Sequence, residues 1–196
     1  KIPDSKYKLI FNGYDAPKTQ PSSQNIDLLK QSLSIEPSDF ILVVTGSLKP
    51  IKNQSELVKA LAILIHKFNR KQIKVVLAGS DFFNYMEELK TLAETLNVKD
   101  HVIFTGHIDN IESILLCSHL FICTSTTEGF SNSVLESIGS SIPVIATNVG
   151  GNKDIIQHGK NGYLYESGNE TELAELIESV IKTPYLLETF KKECKK

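Results

Sequence analysis

The sequence predicts an α/β domain built on a Rossmann-like, doubly wound parallel sheet. Five short apolar runs recur along the chain, and segments with helical periodicity separate them. The runs are ILVVTG (41–46), KVVLAG (74–79), HVIFTG (101–106), LFICTS (120–125) and PVIATN (143–148). Their continuous apolarity is typical of strands that helices cover on both faces. Repeated strand–helix–strand order implies right-handed crossovers and helices on both sides of one parallel sheet.

Helices are predicted where apolar residues recur at helical spacing. Two apolar helix faces are well defined. The first comprises Leu57, Leu61, Leu64, Ile65 and Phe68, and the second comprises Leu173, Leu176, Ile177, Val180 and Ile181. Weaker patterns predict helices over 25–33, 84–96 and 110–116. KLIFNG (8–13) is interpreted as a short extended segment ending in an Asn-Gly turn. Residues 1–38 therefore lead into a main domain over 39–183, and a helical tail over 184–196 follows Pro184.

Composition excludes several classes of function. The chain has 196 residues, with 21 basic and 23 acidic side chains and a formal net charge of −2. This balance gives no basic surface for a nucleic acid partner. No apolar run approaches the roughly 18 residues of a membrane span, and the first residues lack a signal-peptide core. Three cysteines without metal or redox spacing predict buried core thiols at Cys117 and Cys123 and a cytoplasmic location.

Small and polar residues follow each of the five predicted strands. These clusters cover 46–53, 79–81, 106–110, 125–132 and 148–154. The carboxyl ends of parallel strands share one edge of the sheet, and open α/β sheets bind ligands there. Glycine in such clusters either makes a tight turn or lets backbone approach a ligand closely. Because several clusters combine glycine with charged residues, a ligand site at this edge is favoured.

The densest cluster, STTEGFSNSVLES (125–137), predicts an anion site at a helix start. Ser131 is expected to cap a helix whose first N–H groups belong to Asn132, Ser133 and Val134, and such groups bind phosphate. Glu128 and Glu136 flank them, and carboxylates accept hydrogen bonds from vicinal hydroxyls of sugars and ribose. This outline fits a nucleotide sugar. The alternative is that Glu136 is a solvated helix residue and Glu128 a loop charge.

A cation after the first strand would complete a diphosphate site. Lys52 follows that strand closely, and Lys49 is a nearby competitor. Simple surface exposure is the alternative for either lysine.

No G-x-G-x-x-G follows the first strand and no G-x-x-x-x-G-K-[ST] occurs, which disfavours dinucleotide-binding dehydrogenases and P-loop NTPases. No pair of His or Cys has metal-ligand spacing, so neither a metal nor another cofactor is predicted.

These residues resemble the C-terminal domain of GT-B glycosyltransferases of the large retaining family 4, the group 1 glycosyltransferases. EGFSNSVLE (128–136) resembles the family's E-x7-E motif, and the similarity continues through IPVIATNVGGNKDIIQHGKNGYLYE (142–166). FTGHI (104–108) resembles the family's segment near the nucleobase. Asn12 and Gly13 resemble the Asn-Gly pair that follows the interdomain crossover, so 1–38 would hold that crossover segment. The resemblance covers residues 8 to 182.

The resemblance implies roles for individual residues. Glu128 would contact the donor sugar and Glu136 the ribose, while backbone after Gly129 would meet the sugar and diphosphate. Main-chain atoms near His107 and Ile108 would meet the base, and Lys52 would bind the diphosphate. Glu128 and Lys52 are the candidate catalytic residues. The remaining substrate-binding candidates are Ser47, Gly106, His107, Ile108, Gly129, Phe130, Ser131, Asn132, Ser133, Val134 and Glu136.

Two departures from the family pattern accompany this resemblance. Ser47 stands where the family usually has an arginine that binds the diphosphate. The N-terminal domain that binds the acceptor in GT-B enzymes has no counterpart in the sequence, so an excised domain of a longer protein is expected.

The implied reaction is retaining, metal-independent transfer from a nucleoside-diphosphate sugar to a glycan or lipid-linked acceptor. A UDP-sugar is favoured and a GDP-sugar remains open. The location would be the cytoplasm or, for the whole protein, the inner membrane face. The alternatives are a non-catalytic nucleotide-sugar-binding module and a sugar-nucleotide epimerase on the same fold, because fold alone does not decide function.

Overall fold

The computed structural model describes Gly13 and residues 21–195, and these residues contain six strands and eight α-helices. The strands are β1 (Phe40–Thr45), β2 (Ile73–Ala78), β3 (Val102–Gly106), β4 (Leu120–Cys123), β5 (Val144–Thr147) and β6 (Gly162–Tyr165). The helices are α1 (Ser23–Ser32), α2 (Gln54–His66), α3 (Tyr85–Thr95), α4 (Ile111–Cys117), α5 (Asn132–Gly139), α6 (Asn152–Ile155), α7 (Glu170–Lys182) and α8 (Pro184–Cys194).

The six strands form one sheet in the order β3-β2-β1-β4-β5-β6, and every neighbouring pair is parallel. The predicted doubly wound α/β fold is therefore confirmed. The strand order reverses between β1 and β4, which creates a crevice at the carboxyl ends of these two strands. Open α/β sheets bind ligands at this switch point.

Hydrophobic cores lie on both faces of the sheet because successive strand residues point to opposite faces. In β1, Leu42 and Val44 join the core formed with α2, α3, α7 and α8. Ile41 and Val43 join the core formed with α1, α4 and α5 on the other face. This two-sided burial is the physical reason for the continuous apolar runs of the sequence.

The helices predicted from periodicity over 57–68, 84–96, 110–116 and 173–181 correspond to α2, α3, α4 and α7. The predicted helix over 25–33 is α1, and the Ser22 side chain caps it by accepting from the Asn25 N–H at 3.2 Å. After Pro184, α8 packs onto the core through the fully buried Phe190. The extended segment predicted over 8–13 lies outside the described residues, apart from Gly13.

Strand β6 was not predicted from the sequence. It has four residues, it forms the edge of the sheet beside β5, and Tyr163 and Leu164 in it are only partly buried. Its first residue is a glycine because a Cβ there would lie 2.0 Å from the Val144 carbonyl oxygen. A short edge strand that begins with glycine carries little apolar signal.

The three cysteines, Cys117, Cys123 and Cys194, are buried free thiols. Cys117 and Cys123 lie in the core on the α1 and α4 face of the sheet or next to it, as the sequence predicts. Burial raises the pKa of each of these thiols above its ordinary value.

Candidate functional site

The two candidate catalytic residues meet at the carboxyl ends of β1 and β4. Lys52 ends a short 3-10 turn, Pro50–Lys52, that follows β1, and Glu128 lies in the loop that follows β4. The Lys52 Nζ atom donates to the Glu128 Oε1 atom at 2.6 Å. Their side chains are 28% and 11% exposed, so the ion pair lies in the wall of the crevice and not on open surface. Lys49, the competing lysine, begins the same turn and forms no ion pair among the described residues.

Ser125 is a second donor to the same carboxylate. Its Oγ atom donates to Glu128 Oε1 at 2.7 Å, and its side chain is almost fully buried at the end of β4. The sequence placed Ser125 in a polar cluster but did not single it out. The only local signal is a serine three residues before the glutamate, a spacing at which the hydroxyl can reach the carboxylate across one turn of loop.

The Lys52 backbone is also held in place. The buried Thr124 hydroxyl donates to the Lys52 carbonyl oxygen at 2.7 Å. At the start of α2, the fully buried Gln54 donates through Nε2 to the carbonyl oxygen of Ser47, in the same loop, at 3.1 Å. The loop after β1 therefore has a defined shape at both Ser47, the candidate diphosphate contact, and Lys52.

A glycine pair brings the loop after β5 directly against the backbone of Glu128 and Gly129. Gly150 has a φ of +51°, and a Cβ there would lie 1.6 Å from the Glu128 carbonyl oxygen. The Gly151 N–H donates to the Gly129 carbonyl oxygen at 2.8 Å. The backbone of Glu128, the candidate sugar contact, therefore packs directly against the backbone of Gly150, where any residue with a Cβ would clash.

Buried polar side chains join the ends of β4 and β5 behind this contact. The Thr147 hydroxyl donates to the Ser125 carbonyl oxygen at 2.7 Å. The Asn152 Nδ2 atom donates to the Thr147 carbonyl oxygen at 3.1 Å. Thr147 and Asn152 are fully buried. These bonds fix the position of Ser125 and, through it, the Glu128 loop.

Helix α5 starts beside Glu128, as predicted, with Ser131 at the N-cap position. The prediction that the Ser131 side chain caps the helix is wrong, because its Oγ atom lies 3.2 Å from the Ser133 Oγ atom instead. The first intrahelical bond runs from the Leu135 N–H to the Ser131 carbonyl oxygen at 3.1 Å. The N–H groups of Ser133 and Val134 precede that bond and point out of the helix start.

The other residues of this segment surround the helix start. Gly129 is exposed and Phe130 is partly buried, with its ring beside Gly151. Asn132 is exposed at the first helical position, whereas the Val134 side chain is fully buried in the core. Any ligand contact of Val134 is therefore a backbone contact.

Glu136 lies one turn into α5 and is partly buried. Desolvation by burial raises the pKa of its carboxyl above the ordinary value. A carboxylate in a partly desolvated position gains more from hydroxyl donors than a solvated one does. This burial argues against the alternative that Glu136 is a solvated helix residue.

The candidate base contacts lie apart from the Lys52–Glu128 pair. Gly106 ends β3 with a φ of +70°. The His107 side chain is exposed, and its Nε2 atom lies 3.2 Å from Asp109 Oδ1. Ile108 packs against the core. Strand β3 is three positions from β4, which is about 14 Å at the usual strand spacing. Only an extended ligand could touch both places.

A groove of about 630 Å³ lies away from this edge, between α2, α3 and the start of α7. Ala62, Ile63, Leu92 and Leu96 are among its lining residues, and none of the candidate site residues lines it.

Within residues 21–195, no group of three or more His, Cys, Asp and Glu side chains is arranged to hold a metal ion. None of the helices in the same range combines the length and apolarity of a membrane span.

Comparison with known proteins places this chain in a family. The family model described as "Glycosyl transferases group 1" matches residues 25–196. N-acetyl-alpha-D-glucosaminyl L-malate synthase of Bacillus anthracis is 31% identical over 180 residues, which cover 92% of this chain and 45% of that protein.

Solved structures agree with this match. The Anabaena protein Alr3699/HepE, in complex with UDP, is 29% identical with a TM-score of 0.88, and the match covers 96% of this chain and 51% of that one. The same protein has also been solved with UDP-glucose. A C-terminal domain of a glycosyl transferase group 1 protein from Francisella tularensis shares the fold at 24% identity and a TM-score of 0.77, covering 90% of this chain and 91% of that one. The chain thus spans about half the length of the curated relatives that it matches.

Proposed function

The chain belongs to the glycosyl transferases group 1 family, and we propose that it forms the donor-binding half of a retaining glycosyltransferase. The donor is a nucleoside-diphosphate sugar, with UDP as the favoured nucleotide. The acceptor is a glycan or a lipid-linked glycan, bound across the crevice by the other half of the enzyme. The observation that carries this proposal is the Lys52–Glu128 ion pair beside the start of α5, at the point where the strand order reverses.

Each part of the proposed site suits one part of the donor. The α5 amides and Lys52 supply positive potential for the diphosphate. Glu128 accepts hydrogen bonds from the sugar and Glu136 from the ribose, while backbone near His107 and Ile108 meets the base. The separation of about 14 Å between the two ends of the site requires an extended ligand, and a nucleotide sugar is extended.

The proposed chemistry needs no metal ion. As the glycosidic bond to the leaving diphosphate breaks, negative charge grows on the phosphate oxygens. Lys52 and the amides at the start of α5 are already in place to stabilise that charge, and enzymes commonly gain more rate from such preorganised electrostatic stabilisation than from any other single effect. UDP is favoured over GDP because the related Anabaena protein has been solved with UDP and UDP-glucose.

Calorimetric titration with UDP, UDP-glucose and GDP tests this assignment. We expect the chain to bind UDP and UDP-glucose more tightly than GDP. Glu136→Ala should weaken UDP and UDP-glucose equally, by about tenfold, because both ligands contain the ribose and lose one charge-assisted hydrogen bond. Glu128→Gln should weaken UDP-glucose alone. Equal losses for both ligands with Glu128→Gln would show that this carboxylate does not face the sugar.

Transfer assays separate the proposal from its alternatives. An enzyme needs the acceptor, so donor consumption by the whole protein should depend on an added glycan acceptor. Conversion of the donor sugar without any acceptor would indicate an epimerase. Binding without consumption under both conditions would indicate a binding module.

Lys52→Ala should weaken UDP by about tenfold, whereas Lys49→Ala should change it less than twofold. The reason is that Lys52 lies in the crevice wall beside α5, while Lys49 forms no contact with Glu128. Because a diphosphate contact is electrostatic, the loss should shrink in high salt. The two variants are matched in charge and in loop, so a larger effect at Lys49 would contradict the assignment.

A further inference from the structure

Glu128 Oε1 accepts two short hydrogen bonds, from donors that differ in mobility, and a long, weak one from the Cys123 thiol at 4.0 Å. Lys52 Nζ lies 2.6 Å away and Ser125 Oγ lies 2.7 Å away, so both donors converge on one oxygen atom. Together they set the rotation of the carboxylate and direct the other oxygen, Oε2, away from both donors. The question is which donor can keep this orientation when a ligand enters the crevice.

Lys52 is the mobile donor. Its side chain is 28% exposed and carries its ammonium on a flexible four-carbon stem. A diphosphate with two or more negative charges at the start of α5 competes with Glu128 for this ammonium. When the diphosphate binds, the Lys52 ammonium either divides its hydrogen bonds between Glu128 and the diphosphate or breaks its contact with Glu128.

Ser125 is the fixed donor. It is 1% exposed, and its carbonyl oxygen accepts a hydrogen bond from the hydroxyl of the fully buried Thr147 at 2.7 Å. Thr147 in turn offers its own carbonyl oxygen to Asn152 at 3.1 Å. Ser125 therefore has a short, buried side chain on a backbone that is tied to the end of the neighbouring strand.

We propose that Ser125 is a positioning residue, which holds Glu128 Oε1 in place when Lys52 turns to the diphosphate, so that Oε2 stays directed at the hydroxyls of the donor sugar. This inference rests on the proposed function. Ser125 acts on the sugar only through Glu128 and contacts neither the nucleotide nor the reacting bond. Its removal therefore affects the sugar nucleotide and not the bare nucleotide.

The test is calorimetry of Ser125→Ala with UDP and with UDP-glucose as probes. UDP affinity should remain within twofold, and UDP-glucose affinity should fall about tenfold. Thr126→Ala is the matched control: the adjacent hydroxyl is exposed and donates to the Ile51 carbonyl oxygen, and its loss should leave both affinities within twofold. Ser125→Cys keeps the buried volume with a weak donor and should give an intermediate loss.

A double-mutant cycle identifies the route of the effect. In the Glu128→Gln background, Ser125→Ala should cost less than twofold in UDP-glucose affinity, because the group that Ser125 positions is already altered. A full tenfold loss in that background would show that Ser125 acts independently of Glu128 and would overturn the inference.

Failure of this inference differs from failure of the proposed function. If the unmodified chain binds neither UDP nor UDP-glucose, the proposed function fails. If it binds both and Ser125→Ala weakens them equally or not at all, only the positioning role fails. A crystal structure of Ser125→Ala with UDP bound gives an independent result: with Lys52 turned to the diphosphate the Glu128 carboxylate should rotate or shift, and an unchanged Oε1 position overturns the inference.

Discussion

Gly150→Ala should destabilise the protein by more than about 4 kcal/mol or prevent it from folding, at the extreme of single-residue effects. The new Cβ would lie 1.6 Å from the Glu128 carbonyl oxygen, and backbone cannot yield at that distance without moving the loop. The left-handed φ of +51° adds about 1 kcal/mol for a residue with a Cβ. Chemical denaturation followed by circular dichroism measures the change.

Gly159→Ala is the matched control for Gly150→Ala. Gly159 also has a left-handed φ, +79°, but a Cβ there would have no neighbour within 4 Å. It should therefore cost only about 1 kcal/mol from backbone strain. Any Gly150→Ala protein that folds should also bind UDP-glucose at least a hundredfold more weakly, because the Glu128 loop is displaced. Equal stability of the two variants would contradict the close approach.

Arg70→Met should lower the free energy of unfolding by about 2–3 kcal/mol, because it removes one partner of a largely buried ion pair. The Arg70 guanidinium donates to both oxygens of Glu178, at 2.7 Å from Nε and 2.9 Å from Nη2. The Glu178 side chain in α7 is 6% exposed, and only the more exposed Lys182, at 3.1 Å, remains to it in the variant.

The effect of Arg70→Met should depend on pH in a defined direction. The hydrogen bonds from Arg70 hold the pKa of Glu178 below its ordinary value of 4.5. The stabilisation is therefore complete above that value and is lost as the pH falls through the lower pKa of the folded state. The difference between the original chain and the variant should be largest near pH 7 and should shrink below about pH 4.5.

Lys67→Met is the control for this pair, because Lys67, like Arg70, lies in the segment after α2 and pairs with a glutamate of α7. Lys67 follows α2 and lies 3.7 Å from Glu175 in α7, with both side chains more than half exposed. Exposed pairs contribute about 0–1 kcal/mol, so little change is expected at any pH. Equal losses for Lys67→Met and Arg70→Met, or an effect of Arg70→Met that grows in acid, would contradict the assignment.

The sequence by itself determined the order of the elements and the edge of the sheet at which a site could lie. Apolar runs and helical stripes are local properties, so the first five strands, α2, α3, α4 and α7 could be predicted from residues close together in the chain. The polar cluster around Glu128, Ser131 and Glu136 was also a local signal. Its place at the carboxyl end of a strand follows from the direction of the chain alone.

The tertiary structure decided which of these residues meet. Lys52 and Glu128 are 76 positions apart, and they are paired because β4 lies beside β1 in the sheet. Spacing after β1 does not separate Lys52 from Lys49, and in the sequence only the resemblance to the family favours Lys52. Strand β6 likewise required the structure, because a four-residue edge strand is held by its pairing with β5 more than by apolar residues of its own.

The roles of Gly150 and Ser125 depend on distances across the fold. In the sequence, Gly150 is one of two adjacent glycines, and either a tight turn or a close approach would explain it. Its contact with Glu128 appears only when β5 is placed beside β4, which brings their following loops together. Ser125 is one of several hydroxyls in its cluster until burial and the bond to Glu128 distinguish it. Local sequence specifies each segment, whereas strand order and register determine which segments touch.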